Sequence, residues 1–114
     1  MSFTIRYTRQ AQDDIIRNAD WWAEKHSVPQ AREWKQTIIE QIRTLQEMPE
    51  RCALAPETLK CKFSLRQLLV GKGPRPTYRA VYAVQETPDG PQVVIITVRS
   101  AAEDEIRSED LTLE

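Results

Sequence analysis

The chain has 114 residues, of which 40% are hydrophobic and 29% are charged, and its formal net charge at pH 7 is −1. This length suits a single domain, residues 1–114, with one hydrophobic core, and no run of about 18 apolar residues predicts a membrane span. A sequence pI of about 5.9 excludes the overall basic balance of most nucleic-acid-binding modules, so a nucleic-acid role would have to rest on a local patch. No signal-peptide pattern precedes the first element, so we expect a cytoplasmic location and two free thiols, Cys52 and Cys61.

The first half of the chain predicts one strand and two helices. Apolar and polar residues alternate over 3–7, which predicts a strand with one buried face. Thr8 is the predicted N-cap of a helix that runs to about His26 with an apolar stripe. Ser27 is predicted to cap a second amphipathic helix, which ends before Pro49. Because the connection is short, the two helices should fold back as an antiparallel hairpin.

The second half predicts three strands. After a loop over 49–57, the apolar period changes to two, which predicts strands over 63–70, 77–85 and 92–99. The remainder, about 100–114, is expected to be a polar tail that is weakly helical at best. The order β-α-α-β-β-β predicts an α+β fold of two layers, with the helical hairpin packed on one face of a mainly antiparallel sheet.

The polar and aromatic side chains of the helices predict packing more than chemistry. We interpret the three tryptophans as core residues, with Trp21 the most exposed because it lies one position off the apolar stripe. His26 is the single histidine and should lie at a helix end, where a cation is favourable. It forms no zinc pattern with the two cysteines, so we predict no metal site and no cofactor. The adjacent acids Asp13 and Asp14 are expected to be solvated.

Charge is distributed unevenly along the chain. Residues 58–85 contain six basic residues and no acid, whereas the last twelve residues contain six acids and one arginine. Such a basic segment attracts an anionic surface, either a nucleic acid or an acidic protein, and the acidic tail can screen it. Charge alone does not choose between these partners.

Three arginines are candidates for binding an anion on the predicted sheet. Arg79 shares a face of the middle strand with Val81 and Ala83, while Arg66 and Arg99 lie on the neighbouring strands. We expect these arginines to converge on an open, solvent-facing side of the sheet, where they could grip a phosphate or a carboxylate. The alternative is that Arg79 pairs with an acid of the chain itself, such as one in the C-terminal tail.

Several spaced residues carry a family resemblance. The most specific are Val70-Gly71 followed by Tyr78-Arg79-Ala80-Val81-Tyr82. The helices add Ala11, Asp14, Ile15, Ala31, Trp34, Ile38, Ile42, Leu45 and Pro49, and the last strand adds residues 94–99. With the element order, this pattern resembles the RelE/ParE superfamily of bacterial toxins from type II toxin–antitoxin pairs, also called plasmid-stabilisation proteins. The resemblance extends from Phe3 to about Glu103.

The resemblance favours one branch of this superfamily. The RelE branch cuts mRNA in the ribosomal A site with several basic residues and a tyrosine near the C-terminus. Arg79 and Arg66 match part of that set. However, Leu68 replaces an expected lysine, residues 100–102 contain no basic residue, and no tyrosine follows Tyr82. The chain is therefore more similar to the ParE branch, which acts on DNA gyrase and lacks those catalytic groups.

The function implied by the resemblance is that of a ParE-like toxin, which binds a protein target such as DNA gyrase and is neutralised by a cognate antitoxin. The alternative is a RelE-like ribosome-dependent mRNA endoribonuclease with Arg66 and Arg79 as catalytic residues; a third alternative is a family member without toxicity. The predicted surface for target and antitoxin consists of Lys60, Lys62, Arg66, Lys72, Arg75, Arg79 and Arg99. Family antitoxins fold onto the toxin, so an exposed strand edge and the groove beside the helical hairpin are the expected docking surfaces.

Overall fold

The computed structural model describes residues 2–71, 78–102 and 106–114. Two helices pack against a four-stranded mixed sheet of order β1-β4-β3-β2, in which β1 is parallel to β4 and the other neighbours are antiparallel. The elements are β1 (Thr4–Tyr7), α1 (Arg9–Lys25), α2 (Val28–Arg43), β2 (Arg66–Val70), β3 (Tyr78–Thr87) and β4 (Gly90–Ser100). The predicted α+β class and the β-α-α-β-β-β order are confirmed.

Some strand boundaries differ from the predicted ones. The strand predicted over 63–70 begins only at Arg66, because Leu65 bonds to the preceding segment: its carbonyl accepts from the Ala55 N–H at 2.7 Å and its N–H donates to the Thr58 hydroxyl at 3.0 Å. The loop between the last two strands is shorter than predicted, since β3 continues to Thr87 and β4 begins at Gly90. Gly90 has a φ of 115°, a backbone conformation that suits glycine in a tight turn.

Both predicted helix caps are confirmed. The Thr8 hydroxyl accepts a hydrogen bond from the Ala11 N–H at 3.1 Å, and the Ser27 hydroxyl accepts one from the Gln30 N–H at 3.2 Å. Each bond satisfies an amide that the first turn of a helix leaves without an intrahelical partner. The Gln30 side chain does not reach the Ser27 amide as in a full capping box; instead, the Ser27 hydroxyl donates to its Oε1 at 3.3 Å.

The main core lies between the helices and the sheet. The rings of Trp34 and Tyr78 meet edge to face with centroids 5.2 Å apart, and Trp22 Nε1 donates to the Tyr78 hydroxyl at 3.2 Å. Trp21 is 46% exposed and Trp34 only 1%, which confirms the predicted order of exposure. Other buried members of this core are Ala11, Ile15, Ile38, Ile42, Leu45, Val70, Ala80, Tyr82, Val93, Ile95 and Val98.

Helix α1 also completes the hydrogen bonding of β4. Strand β1 ends at Tyr7, opposite Ile95, whereas β4 continues to Ser100. The backbone of β4 beyond this point therefore lacks a strand on that side. The Thr8 hydroxyl takes the place of a strand by donating to the Ile96 carbonyl at 2.9 Å. The N-cap thus holds the helix against the sheet as well as starting it.

Asp14 has the same role about two turns further along α1. Its carboxylate accepts hydrogen bonds from the Val98 N–H at 3.1 Å, from the Thr97 hydroxyl, and from Arg17 at 3.0 Å. The side chain is almost fully buried. The expectation of a solvated carboxylate is therefore wrong for Asp14, because the unpaired end of β4 supplies polar partners; Asp13 is exposed, as expected.

Candidate functional site

The sheet face that carries Arg79 is covered by the chain itself. Apolar residues from the segment before β2, which includes Ala55 and Leu65, and from the C-terminal segment, residues 106–114, pack onto this face and form a second core. Its buried members are Ala55, Leu65, Val81, Ala83, Ile96, Ile106 and Leu111. The expectation of an open, solvent-facing sheet side is therefore wrong, and the stretch interpreted as a polar tail contributes two of the covering side chains.

Arg79 is 6% exposed and forms a forked ion pair with the fully buried carboxylate of Glu57. Arg79 Nη1 donates to Glu57 Oε1 at 2.9 Å and to Gln67 Oε1 at 3.2 Å, while Nη2 donates to Glu57 Oε2. The Ile106 N–H donates to Glu57 Oε2 at 3.0 Å, so the pair also fastens the C-terminal segment to the sheet. Of the two alternatives for Arg79, pairing with an acid of the chain is confirmed, although that acid lies before β2 and not in the tail.

The pKa of Glu57 reflects this environment. Burial is the largest influence and by itself would raise the pKa, because a low-dielectric interior disfavours the charged form. The hydrogen bonds from Arg79 and Ile106, with the Arg79 charge, outweigh burial and lower the pKa to about 2. Glu57 is therefore ionised at neutral pH, and it compensates the buried guanidinium. In this arrangement Arg79 is positioned to stabilise the fold, not to touch a partner.

Arg66 and Arg79 lie on opposite faces of the sheet. Cross-strand neighbours in an antiparallel pair share a face, and Arg66 pairs with Tyr82, which belongs to the helix-side core, whereas Arg79 pairs with Leu69. Arg66 Nη1 donates to the Cys52 carbonyl at 2.6 Å. The predicted convergence of these two arginines is therefore wrong. In the observed register, even-numbered residues of β2 pair with even-numbered residues of β3. Because side chains alternate between the two faces of a strand, Arg66 and Arg79 must then lie on opposite faces.

The other predicted basic residues lie in different surroundings. Lys60 and Lys62 are exposed, and Lys60 Nζ donates to a carbonyl of the C-terminal segment at 3.4 Å. Arg99 is the register partner of Arg79 and is half-buried. Lys72 and Arg75 lie outside the described residues. The described members of the predicted set thus do not form one continuous basic surface.

Arg99 lines a polar cleft of about 770 Å³ beside the start of α1. The cleft combines three arginines with four carboxylates, so it favours neither sign of charge. Its lining residues are Thr8, Arg9, Gln10, Asp13, Asp14, Arg17, Arg99, Asp110, Thr112 and Glu114. Across the described ranges, no group of three His, Cys, Asp or Glu side chains is placed to hold a metal ion. In the same ranges, no helix combines the length and the hydrophobicity that a membrane span requires.

The outer edge of β2 is closed at both ends by the chain's own groups. The Gln67 N–H donates to the Ala53 carbonyl at 3.0 Å, ahead of the middle of the strand. Beyond it, the Gln41 side-chain amide mimics a partner strand: its Nε2 donates to the Gly71 carbonyl at 2.9 Å, and its Oε1 accepts from the Gly71 N–H at 2.8 Å. Between these contacts stands Leu69, which is 53% exposed.

The outer edge of β1 is closed in a similar way. The Phe3 N–H donates to the Gln46 carbonyl at 2.9 Å, and Gln12 Nε2 donates to the Tyr7 carbonyl at 3.2 Å. A strand added at either edge would have to displace groups of the chain itself. The predicted docking of a partner strand at an exposed sheet edge is therefore disfavoured by both edges.

The groove beside the helical hairpin, which the family resemblance named as an expected docking surface, is present in the structure. Two adjoining depressions of about 240 and 380 Å³ share Lys35 and Ile39. Their lining residues are Tyr7, Gln12, Ile15, Ile16, Arg32, Lys35, Gln36, Ile39, Glu40 and Arg43. The available signal was the doubled isoleucines, 15–16 and 38–39: in each pair one side chain enters the core and the next lies on the groove side of its helix.

The fold places the chain among small two-layer α+β proteins with the element order β-α-α-β-β-β, the class to which the superfamily resemblance pointed. The family described as "ParE toxin of type II toxin-antitoxin system, parDE" matches residues 5–105. The chain therefore belongs to the ParE toxin family of type II toxin–antitoxin modules.

Comparison with known proteins supports the same architecture. A chain from the chromosomal ParDE TA system of P. aeruginosa is similar in structure, with a TM-score of 0.66 and 20% sequence identity. The similarity covers 87% of this chain and 96% of that chain. At this identity the likeness concerns the fold. No curated protein matches the chain in sequence.

Proposed function

We propose that the chain is a cytoplasmic toxin that acts by binding DNA gyrase and that a cognate antitoxin neutralises it. Its membership of the ParE toxin family supports the toxin role. The preference for the ParE branch over the RelE branch rests on residues that the sequence lacks. These are the lysine expected at the position of Leu68 and a basic residue at 100–102. Binding a protein target requires a surface, whereas RNA cleavage requires an assembled set of reacting groups.

The observation that carries the choice of binding over RNA cleavage is the separation of Arg66 from Arg79. Stabilising a transition-state phosphate with two guanidinium groups requires both to reach one site. Arg79 is buried against Glu57, and Arg66 is on the other sheet face with its guanidinium on the Cys52 carbonyl. An endoribonuclease that uses both would need this buried pair to open and the sheet to rearrange.

The target contacts are proposed among the exposed basic side chains before β2. Lys60 and Lys62 are exposed, and they precede the half-buried Arg66 in the chain. Lys72 and Arg75, which follow β2 in the sequence, remain proposed target contacts as well. Exposed cations steer an acidic partner and raise the association rate in a salt-dependent way. Arg79 supports this surface indirectly, because its buried pair with Glu57 stabilises the fold.

The test is a gyrase assay with the purified chain. Gyrase, supercoiled plasmid and ATP are incubated with increasing chain, and linear DNA released from cleavage complexes is measured. We expect linear DNA to accumulate with the unmodified chain, and Lys62→Glu to require several-fold more protein. The matched control is Lys25→Glu, an exposed lysine at the end of α1, which should behave as the unmodified chain.

Two results would overturn the proposal. One is unchanged supercoiling and no cleavage complexes at excess chain. The other is A-site cutting of translated mRNA, seen by primer extension and abolished by Arg79→Ala when that variant remains folded. The second result would establish the endoribonuclease alternative in its place.

A further inference from the structure

We propose that Leu59 is the anchor with which the chain binds its target, by insertion into an apolar pocket that has an acidic rim. The inference rests on the proposed function, since it assigns a residue and a chemistry to the contact with DNA gyrase. Leu59 lies in the segment 55–65, here called the 55–65 loop, which also carries the two exposed lysines of that proposal. It adds an apolar contact to a surface that charge alone defined.

The 55–65 loop is closed at its base and fastened from within. Its two end residues are joined, because the Ala55 N–H donates to the Leu65 carbonyl at 2.7 Å, and both side chains are buried in the second core. The Leu65 N–H donates to the Thr58 hydroxyl at 3.0 Å, and the Glu57 carboxylate is held in its buried ion pair. Compact surface loops with joined ends often carry function. Because these contacts already order the backbone, little ordering is left for binding, which favours a tight contact.

Leu59 projects from this loop into solvent. It is 91% exposed, more than any other large hydrophobic side chain among the described residues, of which the next is Met48 at 74%. Glu57 lies two positions earlier in the same 3₁₀ helix and is fully buried. At three residues per turn, the helix directs these two side chains to different sides, one into the protein and one into solvent. Single exposed apolar side chains are ordinary on protein surfaces, but Leu59 combines nearly full exposure with a backbone that is fastened on both sides.

The exposed charge of the 55–65 loop is positive. Lys60 and Lys62 are exposed, and Lys60 Nζ also donates to a carbonyl of the C-terminal segment at 3.4 Å. The single acid of the loop is Glu57, which Arg79 neutralises inside the protein. The outer surface of the loop thus presents an apolar side chain with two lysines and no carboxylate. This surface complements an apolar pocket whose rim carries carboxylates, whereas like-charge repulsion disfavours a basic partner.

The experiment measures association and dissociation rates of the full chain with purified DNA gyrase on a DNA duplex, with the duplex alone as the reference. Leu59→Ser removes the apolar side chain, and Leu59→Met restores one of similar volume. Val28→Ser is the matched control, because Val28 is 54% exposed and lies at the start of α2, outside the loop. Lys62→Glu changes the charge of the loop and keeps Leu59. Unfolding midpoints and binding to the product of the adjacent reading frame are measured for each variant.

We expect Leu59→Ser to weaken gyrase binding about 10- to 100-fold, as for the loss of one buried aliphatic anchor, and mainly through faster dissociation. Leu59→Met should retain most of the affinity, because an apolar side chain of similar volume fills the same pocket. Lys62→Glu should instead slow association, with a smaller effect at high salt. Val28→Ser should bind as the unmodified chain does, and the unfolding midpoint of Leu59→Ser should be unchanged.

Unchanged dissociation of Leu59→Ser from gyrase would overturn the anchor inference and leave the gyrase proposal intact. An equal loss of binding to the duplex alone would overturn it in favour of a nucleic-acid contact. Loss of binding only to the product of the adjacent reading frame would overturn it by assigning Leu59 to that partner. If the unmodified chain fails to bind gyrase at all, the proposed function fails, and the anchor inference fails with it.

Discussion

Replacing Glu57 by glutamine should destabilise the chain strongly, although the two side chains have nearly the same shape. The substitution removes the negative charge that faces Arg79 and leaves a guanidinium buried without its counter-ion. Removing one partner of a buried ion pair typically costs about 3–5 kcal/mol. The amide oxygen of the replacement can still accept from the Ile106 N–H, so the loss reports mainly on the charge.

The pKa of Glu57 gives a second route to the same magnitude. The pKa falls from the ordinary 4.5 to about 2 on folding, and each pKa unit corresponds to about 1.4 kcal/mol, so ionisation of Glu57 favours the folded state by about 3 kcal/mol at neutral pH. This is a large fraction of the roughly 5–15 kcal/mol by which small proteins are stable. Both figures describe the same Glu57–Arg79 interaction, and from it we expect a severe effect at a buried position that touches no proposed partner.

Urea unfolding at pH 7, followed by tryptophan fluorescence and circular dichroism, measures the effect. With a denaturant slope of 1–3 kcal/mol per molar, typical of a chain of this size, we expect Glu57→Gln to lower the midpoint by about 1–3 M without changing the slope. The double variant Glu57→Gln/Arg79→Met should recover most of the loss, because no charge is then left unpaired in the core. Arg107→Ala, which breaks the exposed pair with Glu109 at 3.8 Å, is the control and should leave the midpoint unchanged.

The reasoning is refuted if Glu57→Gln behaves like the surface control. It is also refuted if the double variant is as unstable as the single one. The first result would mean that Arg79 reaches solvent in the folded protein, and the arginine would return as a candidate for partner contact. The second would mean that lost hydrogen bonds or packing, and not the unpaired charge, cause the instability.

Three further predictions follow from the same contacts. The free energy of unfolding should fall as the pH drops from about 4.5 towards 2. The lowered pKa of Glu57 contributes stability that is present above the pKa of the unfolded state and is lost as the pH falls through the pKa of the folded state. In a pH series of urea curves, the double variant Glu57→Gln/Arg79→Met should lack this pH-dependent loss. Asp14→Asn should cost about 1–3 kcal/mol, because the buried carboxylate accepts from the Val98 N–H, whereas the exposed Asp13→Asn should be neutral in the same urea assay. Thr8→Ala should cost about 1–2 kcal/mol by loss of the α1 cap and of its bond to β4, and hydrogen exchange should quicken first in the first turn of α1; unchanged exchange there would contradict the role of the cap.

The sequence predicts well those features that short stretches determine by themselves. Thr8 and Ser27 are followed at once by helical periodicity, and each caps its helix as expected. Alternation over the strands likewise identified the faces of β3, including the shared face of Arg79 and Val81. These features depend on residues within a few positions of one another, so no knowledge of the rest of the chain is needed.

The environment of that sheet face depends on contacts between distant parts of the chain. Glu57 lies 22 positions before Arg79, in an irregular segment with no period to analyse. Ile106 and Leu111 are isolated apolar residues among acids, so their pattern is that of a polar tail until the sheet is in place beneath them. The fold was therefore predictable, whereas the exposure of its arginines was not, because exposure depends on what covers a face.

Growth of cells is the most direct test of whether the chain is the toxin of a type II module. The chain is induced alone, together with the product of the adjacent reading frame, and as the destabilised Glu57→Gln variant with its soluble level measured. A toxin predicts growth arrest by the chain alone, recovery on co-expression, and weaker arrest by the variant in proportion to its lower level. Normal growth at a high level of soluble, folded chain would contradict the toxin function.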